Sequence, residues 1–348
     1  MKKYLCILFI LLFIIVMQPK TDACTIFTKH DDSVTLVGNN EDYQYSIPSM
    51  LWIVAPKDKT YGRICFANSS YVQGGMNEKG LFYDGATCPT SDVPFFENKP
   101  KLGMDFGEIV ISKCANVQEA IKMIKEINIP SSFNDHIMFT DQTGESVVAE
   151  WVEGQLKLIP IKDEYQLITN FWLSNPKLGW YPCSRYDKAK TILDEKKSIS
   201  VELFVSILKE TMQEWGDGGT KYSNVFDLKA QDVYVFNKGN FEKAIKINLK
   251  NELKNIKENE KLTYRIDELF EQKENVIDVQ ELRTENELFT NAKPINTISD
   301  TKIVNKHTVD KANTSVSKGT FIYENIVPLV CSLVVIIGLA IYLSTRKY

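Results

Sequence analysis

The stretch Ala23-Cys24-Thr25-Ile26-Phe27 decides how the rest of this sequence is interpreted. It follows an N-terminal segment in which Lys2-Lys3 precede an apolar run from Tyr4 to Met17. A basic start, an apolar core and a small residue before the cut are typical of a secretory signal peptide. The run is shorter than the roughly 20 residues of a membrane span. We therefore expect residues 1–23 to be removed as a signal peptide, which would make Cys24 the first residue of the mature protein.

An N-terminal cysteine carries a thiol and a free α-amine on one residue. The thiolate is the nucleophilic form, and a free thiol is mostly protonated at neutral pH. The α-amine titrates in nearly the same range, so its neutral form can accept the thiol proton. The position of Cys24 therefore predicts a nucleophile with its own base. The alternative is a lipidated cysteine of a bacterial lipoprotein, but Thr21 stands where that signal normally has a leucine-like residue.

Composition indicates a soluble body with apolar ends. Of the 348 residues, 44% are hydrophobic and 25% are charged, and the length favours about two units. A net charge of −4 gives no electrostatic case for binding nucleic acid. No CxxC pair or Cys/His cluster has the spacing of a zinc site. Besides Cys24, the predicted body contains four cysteines, for which buried thiols and disulfides both remain open: Cys65, Cys88, Cys114 and Cys183.

The C-terminal end predicts a membrane anchor. Residues 326–343 contain no charged side chain and are long enough to cross a bilayer. The tail at 344–348 contains Arg346 and Lys347, which the positive-inside tendency places in the cytoplasm. Residues 271–325 are polar and charged, so we expect a flexible stalk there, with a helical coiled stalk as the alternative. The folded body would then span residues 24–270.

Within that body, strands come first, then helices, then strands again. This order is typical of an α+β fold with stacked layers rather than of alternating βαβ units. Residues 38–43 are expected to form a polar knot at the end of a strand, and residues 74–79 a tight turn or a close backbone approach. Strands are predicted at 25–28, 34–37, 50–54, 63–67, 80–84, 136–140, 146–151, 156–160, 166–170, 224–228, 233–236 and 244–247, and helices at 116–127, 186–194 and 201–213.

Five short motifs in a fixed order carry a resemblance to a known family. They are Cys24-Thr25 at the processing boundary, Gly38-Asn39-Asn40-Glu41-Asp42, Gly75-Met76-Asn77-Glu78-Lys79-Gly80-Leu81, Thr169-Asn170 and Ser184-Arg185-Tyr186. Between Cys24 and Ile247 the sequence resembles the linear amide C–N hydrolases of the N-terminal nucleophile superfamily. That group includes choloylglycine (bile salt) hydrolases, penicillin V acylases and relatives of acyl-coenzyme A:6-aminopenicillanate acyltransferase. The resemblance implies a four-layer αββα sandwich.

The resemblance also implies a role for each of five residues. Cys24 would be the nucleophile and its α-amine the base, with Asp42 holding that amine. The oxyanion of the tetrahedral intermediate would be stabilised by the backbone N–H of Asn77 and the side-chain amide of Asn170. Arg185 would orient the site. No metal or organic cofactor is implied.

The sequence departs from the best-known relatives at Asn39. The bile salt and penicillin V enzymes have an arginine there, whose charge would lower the pKa of the thiol. The interval between Asn170 and Arg185 is also short, so the long assembly loop of the bile salt hydrolases is not expected. Glu41 is interpreted as an ordinary strand-end residue and His136 as a structural one.

These features predict a membrane-anchored amidohydrolase with its catalytic domain outside the cytoplasm. It would cleave a linear, non-peptide or N-acyl amide of a small molecule through a thioester on Cys24. An acyltransferase that uses the same thioester is one alternative. A catalytically inactive surface-binding module is the other, and whether the protein forms a homo-oligomer is left open.

Overall fold

Two antiparallel sheets of eight strands each form the middle of the molecule. The computed structural model describes residues 24–272 and 276–279. In spatial order, the first sheet contains Tyr165–Ile168 (β10), Thr25–His30 (β1), Thr35–Gln44 (β2), Gly218–Asp227 (β12), Asp232–Asn237 (β13), Asn240–Asn248 (β14) and Val276–Asp278 (β16), and Glu214–Trp215 (β11) pairs with β12. The second contains Lys261–Arg265 (β15), Ser49–Val54 (β3), Arg63–Asn68 (β4), Tyr71–Asn77 (β5), Phe82–Thr87 (β6), Asp135–Thr140 (β7), Ser146–Val152 (β8) and Gln155–Pro160 (β9).

In the described chain, the first four helices pack on the outer faces of the two sheets, and the last two pack against the layer between the sheets. Their bounds are Phe106–Lys113 (α1), Val117–Lys125 (α2), Ser184–Glu195 (α3), Val201–Thr211 (α4), Leu249–Asn255 (α5) and Ile266–Glu271 (α6). The helix α2 begins as its sequence predicts, because the Asn116 side chain accepts a hydrogen bond from the Glu119 N–H. Ser200 caps α4 in the same way through the Leu203 N–H.

The alternation of side chains along each strand produces three apolar layers. On β1, Ile26 packs between the two sheets, while its neighbour Phe27 packs against α3 and α4. On β6, Phe82 packs between the sheets, while Tyr83 packs against α1 and α2. The order helix, sheet, sheet, helix is therefore an αββα sandwich, in agreement with the predicted α+β class. The site lies at one end of the inter-sheet layer, where β1 begins.

Three local predictions differ from the structure. Residues 38–43 do not form a knot, because β2 continues through them and pairs with β12. The paired glycines Gly74 and Gly75 lie inside β5 rather than in a turn, so close backbone approach is the correct alternative. The helix α1 was not predicted, since its β-branched residues favour a strand and only packing on the second sheet makes it helical.

The folded body extends beyond the predicted boundary at residue 270. The edge strand β16 pairs with β14, and the Val279 side chain belongs to the same apolar cluster as Phe241 and Ala244 of β14. The predicted start of the stalk at residue 271 is therefore too early. The predicted signal peptide at 1–23, the rest of the predicted stalk, the predicted anchor at 326–343 and the predicted tail at 344–348 lie outside the described residues. No helix within 24–272 and 276–279 is long and apolar enough to span a bilayer.

Candidate active site

Cys24 lies directly before β1, at the edge of the inter-sheet layer. Its side chain is buried, with 8% of its surface exposed. The next residue, Thr25, pairs with Asn40 on β2. Antiparallel pairing continued by one residue therefore places Cys24 opposite Glu41, on the same face. The Sγ atom of Cys24 lies 3.7 Å from Oε2 of Glu41.

Asp42 follows Glu41 on β2, so its side chain points to the opposite face. One carboxylate oxygen accepts a hydrogen bond from the Thr220 hydroxyl, and the other accepts one from the Gln213 amide at 3.0 Å. The residue is fully buried. Asp42 is therefore held rigidly and lines the same cavity as Cys24, while its role of orienting the α-amine stays a prediction.

Arg185 joins the beginning of β1 to the end of β10. From the first turn of α3, its Nη1 donates to the Cys24 carbonyl oxygen at 2.5 Å and to Thr25 Oγ1 at 2.9 Å. Its Nη2 donates to Asn170 Oδ1 at 2.8 Å. The Asn170 amide in turn donates to the Thr87 carbonyl oxygen at 2.8 Å. The structure thus brings Cys24, Asp42, Asn170 and Arg185 together, as predicted.

Asn77 does not belong to this cluster. Its backbone N–H donates to the Leu81 carbonyl oxygen across the turn between β5 and β6. Its amide donates to two carbonyl oxygens of α1 and its C-terminal cap, Ile111 and Cys114, and its Oδ1 accepts from the N–H of Lys79 and of Leu81. The predicted oxyanion role of the Asn77 N–H is therefore corrected. Asparagine here closes a turn, as it often does.

A small cavity of about 70 Å³ opens beside Cys24. It extends from β2 across β5, β6 and β7 to α1. Its lining is Cys24, Glu41, Asp42, Tyr43, Tyr71, Val72, Gln73, Tyr83, Gly85, Thr87, Met104, Gly107, Phe133, Asp135 and Ile137. Aromatic side chains and carboxyl groups alternate along this wall. The cavity can therefore hold an apolar group while polar atoms lie close to the thiol.

Acidic groups surround the thiol and keep it protonated. Burial raises the pKa of Cys24, and the charges of Glu41, Asp42 and Asp84 raise it further. A hydrogen bond from the Asp42 backbone N–H acts in the opposite direction. Burial also raises the pKa of Asp84 to about 8 and, together with the charge of Asp84, raises the pKa of Glu41. Burial has the same effect on the pKa of Asp135. Nucleophilic attack therefore requires a base.

Asn39 and His136 have structural surroundings. Asn39 is buried, and its Oδ1 has no hydrogen-bond partner within the part of the chain that the structure describes. It supplies no charge to the thiol. The His136 ring contacts the Thr169 carbonyl oxygen at 2.6 Å through Nε2 and Glu150 Oε1 at 3.1 Å through Nδ1. His136 thereby supports the segment that carries Asn170.

Among the described residues, no group of three or more His, Cys, Asp or Glu side chains could hold a metal ion. The five cysteines of the described residues are all free thiols: Cys24, Cys65, Cys88, Cys114 and Cys183. Of the two alternatives left open for the last four, the structure therefore shows reduced side chains.

Two residues of the site were missed from the sequence. Glu41 was interpreted as a strand-end residue because β2 was expected to stop at Gly38. Had the strand been extended, its pairing with β1 would have placed Glu41 opposite Cys24. Thr87 had no sequence signal, since only the pairing of β6 with β7 brings its carbonyl oxygen to Asn170.

Comparisons with known proteins agree with this fold. The family model of acyl-coenzyme A:6-aminopenicillanic acid acyl-transferase matches residues 28–178. A variant of conjugated bile acid hydrolase from Clostridium perfringens is 20% identical with a TM-score of 0.55, over 70% of this chain and 97% of the other. Penicillin V acylase from Agrobacterium tumefaciens is 16% identical with a TM-score of 0.56, over 66% of this chain and 87% of the other. No curated protein matches the sequence.

The structural likeness concerns the fold, and the family match covers most of the second sheet together with β1 and β2. Cys24, Thr25 and Arg185 lie just outside the matched range, and Arg185 donates hydrogen bonds to Cys24, to Thr25 and to Asn170, which lies within that range. The chain therefore resembles the acyl-coenzyme A:6-aminopenicillanic acid acyl-transferase family over residues 28–178, and its fold resembles those of bile acid hydrolase and penicillin V acylase.

Proposed function

We propose that this protein hydrolyses a linear, non-peptide amide of a small molecule through a thioester on Cys24. The observation that carries the proposal is the position of the Cys24 thiol at a cavity, next to Asp42 and to the Arg185–Asn170 pair. The thiol would attack the acyl carbon, and the amine would leave. Water would then release the acid from the thioester.

The surroundings of the thiol support a role for Asn170 in stabilising the oxyanion. Its Oδ1 accepts from Arg185, which fixes the plane of the amide and directs its nitrogen towards the Thr87 backbone. A preorganised donor of this kind typically contributes about 10²–10³ in rate. Cleavage after Ala23 would leave the α-amine of Cys24 free. Export, and anchoring by residues 326–343, are proposed from the sequence alone.

An acyltransferase is the second candidate, because the matched family model is that of an acyltransferase. The chemistry up to the thioester is the same. A second amine would then take the acyl group instead of water. The same assay distinguishes the two activities if the products are analysed with and without an added amine.

Replacing Cys24 with serine tests the proposal. We expect Cys24→Ser to lower the rate of hydrolysis of a chromogenic N-acyl amide by at least about 10³-fold, since a serine hydroxyl is far less acidic than a thiol and is a weaker nucleophile. Cys114→Ala is the control, because Cys114 is a free thiol packed on α1 away from the cavity. Mass spectrometry of the untreated protein should show a mature chain that begins at Cys24 with an unmodified amine. Unchanged turnover in Cys24→Ser would contradict the mechanism.

A further inference from the structure

A hydrogen-bonded chain of buried polar groups leads from the thiol across the gap between the two sheets. Glu41 Oε2 lies 3.7 Å from Cys24 Sγ, and Glu41 Oε1 accepts from the Asn68 amide at 2.6 Å. Asn68 Oδ1 accepts from the Lys221 ammonium at 3.1 Å. All four residues are buried. Cys24 directly precedes β1, Glu41 and Lys221 lie on β2 and β12 of the first sheet, and Asn68 lies on β4 of the second.

The backbone is adapted to this chain of contacts. The pairing of β12 with β2 shifts register between Thr220 and Tyr222, which leaves Lys221 at a bulge. Bulges redirect a side chain out of the strand alternation. From there the ammonium donates to Asn68 and to the Ile47 carbonyl oxygen. Burying an ammonium group without hydrogen-bonding or charged partners costs free energy. The orientation of the Lys221 side chain towards Asn68 and Glu41 therefore requires an explanation.

We propose that Glu41 accepts the proton of the Cys24 thiol, and that Asn68 and Lys221 are positioning residues that hold its carboxylate. This assignment rests on the proposed thioester chemistry. It supplies a base within the folded chain, in addition to the α-amine that cleavage after Ala23 would expose. Lys221 places a positive charge beside Asn68 and Glu41, whereas Asn39 provides none.

The proton balance closes over one turnover. The S–H proton of Cys24 moves to Glu41 Oε2 while the S–C bond to the acyl carbon forms. When the C–N bond breaks, the amine nitrogen takes this proton from Glu41. In the second half, Glu41 takes a proton from water as the oxygen attacks the thioester. The C–S bond then breaks, and the sulfur takes that proton back.

The charges around Glu41 suit a group that gains and loses a proton. Burial and the neighbouring carboxyls Asp84 and Asp42 raise its pKa, whereas the Asn68 hydrogen bond and the Lys221 charge lower it. A carboxyl group whose pKa is raised above its ordinary range is a stronger base when it is ionised. Lys221 itself has its pKa lowered by burial to about 8. The charge of Glu41 therefore depends on Asp84 and Lys221 and in turn affects the pKa of Cys24.

The variant Glu41→Gln separates proton transfer from structure. It keeps the side-chain shape and the contact with Asn68. We expect kcat for the chromogenic N-acyl amide at pH 7 to fall by about 10²-fold or more. Glu252→Gln is the matched control, since Glu252 is a buried glutamate on α5. A kcat of Glu41→Gln within twofold of the wild type would overturn the proposal.

Alkylation of the thiol provides a second measurement that needs no substrate. The rate of Cys24 modification by iodoacetamide is followed against pH by peptide mass spectrometry. Because the charge of Glu41 raises the pKa of the thiol, we expect Glu41→Gln to shift its titration to lower pH. Identical titrations in the two proteins would overturn the Glu41 assignment. If the wild type cleaves no amide, the proposed function fails, but a shifted titration still supports proton coupling between Glu41 and Cys24.

The pH dependence of kcat/KM tests the role of Lys221 separately. Lys221→Met removes a charge that lowers the pKa of Glu41, so the acidic limb of kcat/KM should move to higher pH. Lys29→Met is the control, because Lys29 is also a buried lysine but donates to the carbonyl oxygens of Leu193 and Lys196. An acidic limb that stays in place in Lys221→Met would exclude Lys221 as a positioning residue.

Discussion

Arg185 shows how one side chain can hold two parts of the site in register. Its planar guanidinium contacts the Cys24 carbonyl oxygen, Thr25 and the Asn170 amide oxygen at once. Rigid forked geometry of this kind is available to arginine but not to lysine. Arg185 therefore acts on the nucleophile through the backbone of Cys24 and on the predicted oxyanion donor through Asn170.

We expect Arg185→Lys to lower kcat by about 10- to 100-fold, because a single ammonium cannot hold Cys24 and Asn170 together and a displaced donor is costly in rate. Arg63→Lys is the matched control. Arg63 is a partly buried arginine that makes a forked contact with Glu108, remote from the cavity. Steady-state kinetics of both variants provide the measurement. Equal losses in the two would show that the effect is one of general stability.

At the scale of single elements, β5 shows why the glycines were misread. Paired glycines usually mark turns, but here they lie within a central strand. A Cβ atom on Gly75 would lie 2.2 Å from the Ile64 carbonyl oxygen, and one on Gly74 would lie 2.5 Å from the Asp84 carboxyl group. The strand thus needs glycine because backbone and carboxyl groups approach it closely.

Gly75→Ala should therefore destabilise the protein by about 1–3 kcal/mol, since the clash is with backbone that cannot rotate away. Gly216→Ala is the control, because nothing lies within 4 Å of a Cβ built there. Its effect should stay within about 0.5 kcal/mol. Urea denaturation of the two variants gives the free energies of unfolding. A Gly75→Ala protein as stable as the wild type would contradict the close approach.

Across the whole molecule, the sequence predicted what depends on side-chain alternation and motif order. Most strands of the two sheets, the helices α2, α3 and α4, and the grouping of Cys24, Asp42, Asn170 and Arg185 follow from such patterns, whereas the strands β5, β11, β15 and β16 were not predicted. What depends on pairing between distant segments was not predictable. Glu41 contacts Cys24 only because β2 continues past Gly38. Asn77 lies outside the site because its backbone N–H is hydrogen-bonded within its own turn. The carboxyl groups between the sheets belong to this second class.

Those carboxyl groups predict how the stability of the protein depends on pH. Burial raises the pKa of Asp84 to about 8 from an ordinary value of 3.8. Between these values the folded protein keeps a proton that the unfolded chain has released, so stability falls as the pH rises. Each such proton makes the free energy of unfolding fall by about 1.4 kcal/mol per pH unit. Glu41 acts with the same sign, because its pKa is also raised.

Asp84→Asn should flatten this dependence, because asparagine keeps the acceptor oxygen for the Gly85 N–H but binds no proton. Between about pH 5 and pH 7, we expect the free energy of unfolding of Asp84→Asn to fall less steeply with pH than that of the wild type. The two slopes should differ by at most the contribution of one proton. Asp31→Asn is the control. Its carboxylate is exposed and hydrogen bonds with Ser33 lower its pKa, so its linkage lies below that range. Denaturant unfolding at several pH values measures all three proteins, and an unchanged slope in Asp84→Asn would show that Asp84 is ionised in the folded state. The same measurement therefore reports whether the carboxyl groups facing the thiol hold protons at neutral pH, on which the acid–base chemistry of Cys24 depends.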